Sequence, residues 1–423
     1  MAPVVAMVAA VGAVRLLHWI DAATGWQSSL DPDTTRAVLG TMAASMFTFV
    51  VFVSSALLVA VQLASSQLTP RIIGIVFKDP VTKGSLTVFV FTFTFSLAAL
   101  VQVGAAVPLL TAYLAAYSCL ASLGVFLYLI DHVGKALRPS GALWAAASLG
   151  RDVIESVYPS CLAKSPGAVP ARASDLKGEP SYVVPNRRDG VVLAFDMPGI
   201  VALAQRGDCV VELVPQVGDF VAAGDPLFRV FQGGAALPVE ALRQSVAVGQ
   251  ERTLEQDPAF AFRIIVDIAS KGLSPAINDP TTAVLALDQI HHLLRNVGSR
   301  RLDDGQVCDA AGRLRLVYRT PDWEDYVYLA VTEIRQFGGA SIQVARRLRA
   351  MLENLIQTLP AERAALLHQE LKLLDRSAAR FFTEPEDQAL ADVSDLQGVG
   401  GKRGRSQADR RAKETVPQCP STS

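Results

Sequence analysis

Six polar side chains recur along an apolar stretch of the chain, residues 40–66, whose first 24 positions carry no charge. They follow one another at steps of three, four and seven, which places them on one face of a helix. Hydroxyl and amide groups in such a row can line a polar path through a membrane, or they can hydrogen-bond to a neighbouring helix. The candidates for pore lining or helix packing are Thr41, Ser45, Thr48, Ser55, Gln62 and Ser66.

A second group of polar residues lies between residues 252 and 294, where two helices of the same design are predicted. Asp257 and Asp279 each precede a proline, which is the pattern of an N-cap carboxylate followed by proline at the first helical position. Each predicted helix ends at a glycine. The two carboxylates are therefore expected to begin the two helices.

Charged residues spaced four apart follow the first of these caps. Arg263, Asp267 and Lys271 share one helical face and alternate in sign. One interpretation is an exposed ladder of weak i,i+4 ion pairs. The other is a polar site formed with the loop SPAIND, in which a helix N-terminus could also receive an anion, although a carboxylate at that position argues against one. The candidate polar site comprises Asp257, Arg263, Asp267, Asn278 and Asp279.

The sequence contains no pattern that predicts catalysis, a cofactor or a bound metal. Asp288 precedes His291 and His292 at metal-ligand spacing, but no second histidine at i+4 and no Glu-x-x-His pair supports a site. The five cysteines are scattered and include no CxxC pair. No GxSxG, P-loop or HExxH motif occurs. With a net charge of −1, the chain is not expected to bind nucleic acid.

The elements that must position these residues begin with four predicted membrane spans. Hydrophobic residues make up 51% of the chain and are concentrated before residue 131. About twenty apolar residues suffice for a helix to cross a bilayer. The fold class predicted here is a multi-pass α-helical membrane domain followed by an α+β cytoplasmic domain. The spans are expected at about residues 2–20, 40–65, 84–105 and 107–130 within a membrane domain of residues 1–131.

Loop charges predict the orientation of these spans. The connector after the second span carries Arg71, Lys78 and Lys83 against the single acid Asp79. By the positive-inside rule this connector faces the cytoplasm. A bacterial inner-membrane protein with both termini and its C-terminal domain in the cytoplasm is therefore expected.

The chain after the spans is predicted to divide into four parts. Residues 132–180 are predicted to form a helix on the membrane surface at 132–160 and a linker at 164–180. The alternative for 132–160 is an ordinary connecting helix packed on the soluble domain. Short β-branched runs predict a small β-barrel-like subdomain at 181–240. Residues 241–392 are predicted to be mostly helical, and 393–423 to form a disordered basic tail.

Four blocks of sequence resemble one family. They are SSALLVAVQLASSQLTPRI (54–72), GDFVAAGDPL (218–227), RTLEQDPAFAFRIIVDIASKGLSPAINDPTTA (252–283) and PDWEDY with EIRQFG (321–338). Together they resemble the predicted bacterial membrane proteins of domain of unknown function 2254, over about residues 15–385. The resemblance implies several membrane helices followed by a soluble domain, and it implies no established activity.

Two functions of different classes are consistent with these observations. In the first, the polar face of the second span lines a pore in a homo-oligomer, and the cytoplasmic domain gates it. In the second, the spans anchor the chain in the lipid bilayer, and the soluble domain senses a ligand or recruits a partner. Gln62 favours the pore because a large amide near the end of a span needs a partner.

Overall fold

The protein is described by a computed structural model that covers residues 2–24, 31–69, 71, 79–104, 107–162, 178–234 and 237–401. The chain divides into two compact units, Met1–Ala142 and Leu143–Ser423. The first contains the predicted membrane spans, and the second contains mixed sheets and helices.

The first unit consists of four long apolar helices in its described part. Each is long and apolar enough to cross a membrane, which confirms the prediction of about four spans. Their order in the chain follows the predicted one, although the second begins eight residues before the predicted span. The helices are α1 (Ala2–Thr24), α2 (Pro32–Gln67), α3 (Pro80–Gln102) and α4 (Leu109–Ala136).

Helix α3 lies in the middle of this unit and contacts the three other helices. Phe89 and Phe95 of α3 are fully buried. Phe89 packs edge-on against Phe49 of α2, at 5.2 Å between ring centroids. The interior is therefore filled by aromatic and small side chains, as expected when helices pack closely in a membrane.

Helix α5 (Pro139–Val157) follows after a short turn. Of its residues in the second unit, Leu143 and Ile154 are buried in that unit. A side chain larger than hydrogen at Gly150 would collide with Ala261, whose Cβ lies 2.7 Å from where the added Cβ would be. Residues 143–157 of α5 therefore pack within the second unit.

Two β-sheets and a short helix form the β-rich part of the second unit. The five-stranded sheet has the order β1-β5-β3-β8-β7 and is antiparallel except where β3 pairs with β8. The three-stranded sheet has the order β4-β2-β6 and is antiparallel. The strands are β1 (Tyr182–Pro185), β2 (Gly190–Phe195), β3 (Val210–Leu213), β4 (Phe220–Val221), β5 (Pro226–Phe231), β6 (Val246–Gly249), β7 (Gln306–Cys308) and β8 (Leu314–Tyr318).

The prediction that this part resembles a β-barrel is wrong, because neither sheet closes. The β-branched runs at 182–186, 191–195, 209–214 and 227–231 predict four strands, and all four form. β2 pairs with β4 and β6, whereas β1, β3 and β5 join the larger sheet. The larger sheet also takes β7 and β8 from the region predicted to be mostly helical, in which the run GRLRLVY before Thr320 predicts the strand that forms as β8. Val192, Phe228 and Leu316 lie in one core between the sheets and α6 (Met197–Arg206).

Helices make up the rest of the second unit. Asp257, Asp279 and Ser341 cap three of them with their side chains, as their positions before the predicted helices indicate. Buried aliphatic and aromatic side chains at three- and four-residue spacing face one another in the core. The helices are α7 (Val239–Gln244), α8 (Pro258–Gly272), α9 (Pro280–Gly298), α10 (Trp323–Phe337), α11 (Ile342–Thr358), α12 (Ala361–Phe381) and α13 (Pro385–Ala391).

Residues 392–401, which we call the C-terminal strap, run along α11. The prediction of a disordered tail therefore does not hold for residues 393–401, whose backbone is bound by buried side chains of α11. The remaining tail residues, 402–423, lie outside the described part of the chain.

Candidate functional site

The polar face of α2 points away from the other helices of its unit. Thr41, Ser45, Thr48, Ser55 and Gln62 are all exposed on the surface of one protomer. The opposite face of α2 packs inward through the buried residues Leu39, Ala43, Met46 and Val53. The side chain of Ser66 lies outside the description. The described members of the row therefore share one face, as predicted, and that face meets lipid or another chain.

Two threonines of this face already have hydrogen-bond partners in their own helix. Thr41 Oγ1 donates to the carbonyl of Ala37 at 2.8 Å, and Thr48 Oγ1 donates to the carbonyl of Ala44 at 3.1 Å. Such bonds to the preceding turn let a hydroxyl face lipid at low cost. The amide of Gln62 cannot be satisfied in this way, and no partner for it occurs among the described residues.

A buried polar contact between α3 and α4 was not predicted. Thr92 Oγ1 and Ser122 Oγ are 2.8 Å apart, and both residues are buried. Ser96, one turn further along α3, is also fully buried, and its Oγ lacks a partner in the described part of the chain. Small and hydroxyl residues recur at steps of four and three on both helices, and this spacing could have predicted the contact.

Asp21, at the end of α1, binds the start of α4. Its Oδ1 accepts a hydrogen bond from the backbone N–H of Leu110 at 3.2 Å, and its Oδ2 accepts one from Thr111 Oγ1 at 3.4 Å. The residue is 6% exposed. A carboxylate at this position is favourable because the N-terminus of a helix carries partial positive charge.

Arg36 of α2 binds the C-terminus of α3, whereas Asp21 binds the N-terminus of α4. Its Nε and Nη2 donate to the carbonyl of Val103 at 3.1 and 3.0 Å, and Nη2 also donates to that of Gly104 at 3.0 Å. A cation at a helix C-terminus compensates the free carbonyls there. Together with Asp21, it fixes both helix ends at the α3–α4 turn.

Asp79, the single acid of the basic connector, begins α3. Its Oδ2 accepts from the backbone N–H of Thr82 at 2.8 Å and lies 3.1 Å from Nε2 of His132. The contact ties the start of α3 to the end of α4. Asp79 therefore has a structural role at this end of the unit.

In the second unit, the predicted N-caps are confirmed. Asp257 Oδ1 accepts from the backbone N–H of Phe260 at 3.0 Å, and its other oxygen forms an ion pair with Arg252. Asp279 accepts from the N–H and the hydroxyl of Thr282 at 3.2 and 2.6 Å. Both carboxylates are therefore engaged in starting helices.

The five residues of the candidate polar site are not brought together. Asp257 begins α8, whereas Asn278 and Asp279 follow the end of that helix. A helix of 15 residues is about 22 Å long. Asn278 has a left-handed backbone conformation, with φ of +48°, and its side chain is exposed.

Arg263 of the candidate polar site forms an ion-pair cluster instead. Its Nε lies 2.6 Å from Asp267 Oδ1, as the i,i+4 spacing predicts. Its two terminal nitrogens bind both oxygens of Glu333 on α10, each at 2.6 Å. These hydrogen bonds lower the pKa of Glu333 and raise that of Arg263. The cluster joins α8 to α10.

Three arginines of α11 are buried, which sequence reasoning missed. Arg346, Arg347 and Arg349 are 1%, 4% and 7% exposed. Arg349 bonds at 2.6 and 2.7 Å to Asp375 and Asp392. Burial of a guanidinium group costs free energy unless the group is paired, so the partners of each arginine determine whether its burial is tolerated.

Arg346 is held by backbone carbonyls of the C-terminal strap. Its Nε donates to Val393 O at 2.9 Å, its Nη1 to Gly400 O at 3.1 Å and its Nη2 to Gly401 O at 2.9 Å. No carboxylate of the described residues pairs with it. The strap therefore supplies neutral dipoles where a buried guanidinium would ordinarily bind an anion.

Arg347 contacts two of the residues considered above as metal ligands. Its Nε donates to Asp288 Oδ1 at 2.7 Å, and its Nη2 donates to His291 Nδ1 at 3.2 Å. His291 Nε2 in turn lies 2.9 Å from the amide oxygen of Asn354. Burial, and next the charge of Arg347, lower the pKa of His291 to about 4. The imidazole is thus neutral at pH 7, and its two bonds define its tautomer.

The described residues contain no group of three or more potential ligands suited to a metal ion. One nitrogen of the Arg347 side chain makes no hydrogen bond in this cluster. Its Nη1 is buried and has no hydrogen-bond partner in the described part of the chain. Such atoms are rare in folded proteins and point to a bound water or ion.

The family model for predicted membrane proteins of domain of unknown function 2254 matches residues 1–354. Uncharacterized proteins of Mycobacterium bovis and Mycobacterium tuberculosis are each 28% identical to this chain over 379 residues, which is 85% of this chain and 71% of theirs. No solved structure matches it. The family match covers all four long apolar helices and the second unit as far as Asn354 in α11. The chain therefore belongs to the domain of unknown function 2254 family of predicted membrane proteins.

Proposed function

We propose that this protein is a membrane-anchored binding module. Its four helices fix it in the bacterial inner membrane, and its soluble unit takes up a ligand or partner in the cytoplasm. No catalytic step is part of the proposal.

The packed interior of the membrane unit carries this proposal. The central helix α3 buries Phe89 and Phe95 completely, and the buried hydroxyls of Thr92 and Ser122 bond to one another. An ion path through one protomer would need polar groups that face an open cavity. An interior filled in this way supports an anchor.

Flux measurements on the full-length protein in proteoliposomes test the proposal. We expect the leak of K⁺ and of Cl⁻ to equal that of protein-free vesicles. The same result is expected for Gln62→Leu, which removes the large polar group of α2. Flux through the wild type that Gln62→Leu abolishes would overturn the anchor.

A homo-oligomeric pore is the second candidate, and one observation favours it. Gln62 is exposed, and its amide has no described partner. In a bilayer that amide is stabilised if it meets the same residue of a sister chain or a polar path between chains. Cross-linking tests the oligomer: a cysteine at Ser55 should form an intermolecular bond in membranes, whereas one at Val53, which faces inward, should not.

The predicted orientation has its own test. Lys83 is exposed on α3 and belongs to the basic connector predicted to be cytoplasmic. In a variant without other cysteines, Lys83→Cys should react with a membrane-impermeant maleimide only after permeabilisation of the inner membrane. Labelling in cells with an intact inner membrane would reverse the orientation and place the soluble unit outside.

A further inference from the structure

The buried guanidinium of Arg346 is bound in an unusual way for so strong an anion receptor. Each of its three nitrogens donates to a carbonyl of the C-terminal strap, at 2.9 to 3.1 Å. A planar guanidinium matches the spacing of two oxygens in a phosphate or carboxylate group. The strap carbonyls of Gly400 and Gly401 thus occupy the two nitrogens that would grip such a group.

The neighbouring arginine has a free donor in the same region. Nη1 of Arg347 is buried without a partner among the described residues, while its other nitrogens bind Asp288 and His291. Gly398 of the strap lies against this side chain, since a Cβ added there would be 3.6 Å from Arg347 Cδ. One strap therefore covers both arginines.

Hydrogen bonds and the ion pair of Asp392 with Arg349 hold the strap down. Leu396 and Val399 are 52% and 78% exposed and bury little apolar surface, and Val393 is half-buried. Gln343 Nε2 donates to Gly398 O at 2.6 Å. Asp395 shapes the turn by accepting from the backbone N–H groups of Gln397 and Gly400 at 3.1 and 2.6 Å. Segments with little buried apolar surface open at low free-energy cost.

We propose that Arg346 and Arg347 form an oxyanion-binding site of the phosphate type, and that the C-terminal strap closes it in this structure. This inference rests on the proposed role of the soluble unit as a binding module and names the ligand class. Once the strap lifts, its carbonyls and Asp395 leave together. Arg346 is then left without a partner, while Arg347 keeps Asp288 as its one carboxylate and His291 neutral beside it. The excess positive charge and the free donors receive the oxyanion.

Calorimetric titration of the full-length protein in detergent with inorganic pyrophosphate tests the site. Asp395→Ala removes the bonds that shape the strap and should bind pyrophosphate about tenfold more tightly than the wild type, as expected if opening then costs about 1.4 kcal/mol less. Arg347→Met in the same background should weaken binding by about tenfold or more, because charge-assisted bonds are lost. Arg313→Met, at an arginine that is 64% exposed on the sheet, is the control and should change nothing.

Hydrogen exchange provides a second measurement that is independent of affinity. Pyrophosphate should accelerate exchange of the backbone amides of residues 393–401 in the wild type, and Arg347→Lys should reduce that effect while keeping the charge. Vesicles of phosphatidylglycerol serve as the other source of the same chemistry. If only the vesicles accelerate hydrogen exchange in the strap, the ligand is a lipid headgroup. If only pyrophosphate does so, the ligand is a soluble phosphate compound.

The inference is overturned if Asp395→Ala exchanges fast in the strap, and so is open, yet binds neither pyrophosphate nor the vesicles. Equal binding by Arg347→Met and by its parent variant would overturn it as well. Ion flux in proteoliposomes bears on the anchor only. If the protein conducts ions and still binds pyrophosphate through Arg347, the inferred oxyanion site stands and the proposed role as an anchor is wrong.

Discussion

Arg263 and Glu333 form a two-point ion pair between helices that lie 70 residues apart in the chain. Both terminal nitrogens of the guanidinium bind both carboxylate oxygens at 2.6 Å. Asp267 occupies the remaining Nε at the same distance. The fork of an arginine matches a carboxylate in this way and fixes the rotation of each partner. The pair therefore sets how α8 and α10 face one another.

Replacing Glu333 with glutamine should destabilise the second unit measurably. The carboxamide keeps one hydrogen bond to Arg263 but loses the charge and the second acceptor, at a cost of about 1–2 kcal/mol. Thermal unfolding of the full-length protein in detergent measures the shift. Glu240→Gln is the matched control, since Glu240 pairs with two arginines while its side chain is 53% exposed, and it should cost no more than about 0.5 kcal/mol. Equal shifts would show that the bidentate geometry contributes nothing.

Burial of neutral His291 predicts a loss of stability in mild acid. Its pKa falls from 6.5 to about 4 on folding, so the unfolded chain binds the additional proton between these values. Stability is therefore full above about pH 6.5 and declines as the pH falls towards 4. At pH 5 the difference from pH 7.5 amounts to about 2 kcal/mol from this group.

The histidine variant isolates this contribution. His291→Gln preserves a bond to Asn354 but cannot titrate, so its unfolding temperature should change less between pH 7.5 and pH 5 than that of the wild type. His368→Gln, on the exposed face of α12, should keep the wild-type dependence. A pH profile that is the same for the wild type and His291→Gln would contradict a buried neutral imidazole.

Local patterns in the sequence were sufficient for the starts of the two helices that follow Asp257 and Asp279. Asp257 and Asp279 were predicted as N-caps because a cap acts within three residues. The partner of Arg263 could not be predicted in the same way, since Glu333 is brought near only by packing of α10 on α8. The same limit applies to the sheets, where parallel pairing of β3 with β8 joins residues a hundred positions apart.

The direction in which the polar faces of the membrane helices point could also not be predicted from local sequence patterns. The row from Thr41 to Gln62 was found by its periodicity, but periodicity does not say which face meets a neighbour. The structure turns that row outward and buries Thr92 and Ser122 instead. Three of the four residues 346–349 are buried arginines, which an amphipathic helix with one apolar buried face does not predict. The strap binds Arg346, whereas Asp288 and Asp375 of other helices pair with Arg347 and Arg349.

The buried hydroxyl pair of the membrane unit should show measurable coupling. A double-mutant cycle with Thr92→Val and Ser122→Ala should give about 0.6 kcal/mol, the usual size for hydrogen bonds between membrane helices. Reversible unfolding in bicelles measures it. Thr48→Val is the control, because that exposed hydroxyl bonds only to its own helix, and it should show no coupling with Ser122. Coupling that is zero within error for Thr92 and Ser122 would mean that the contact does not form in the membrane.

Removing the guanidinium of Arg36 should loosen the turn between α3 and α4. Arg36→Met leaves the carbonyls of Val103 and Gly104 without their donor, and loss of a charged bond to partly buried carbonyls costs about 1–3 kcal/mol. Hydrogen exchange in detergent should show faster exchange at the backbone amide of Leu110, whose bond to Asp21 lies on the other side of the loosened turn. Asp33→Asn breaks only the exposed ion pair of Arg36 and should leave exchange at the turn unchanged. If both variants exchange faster than the wild type and to the same extent, Arg36 acts through Asp33 and not through the helix end.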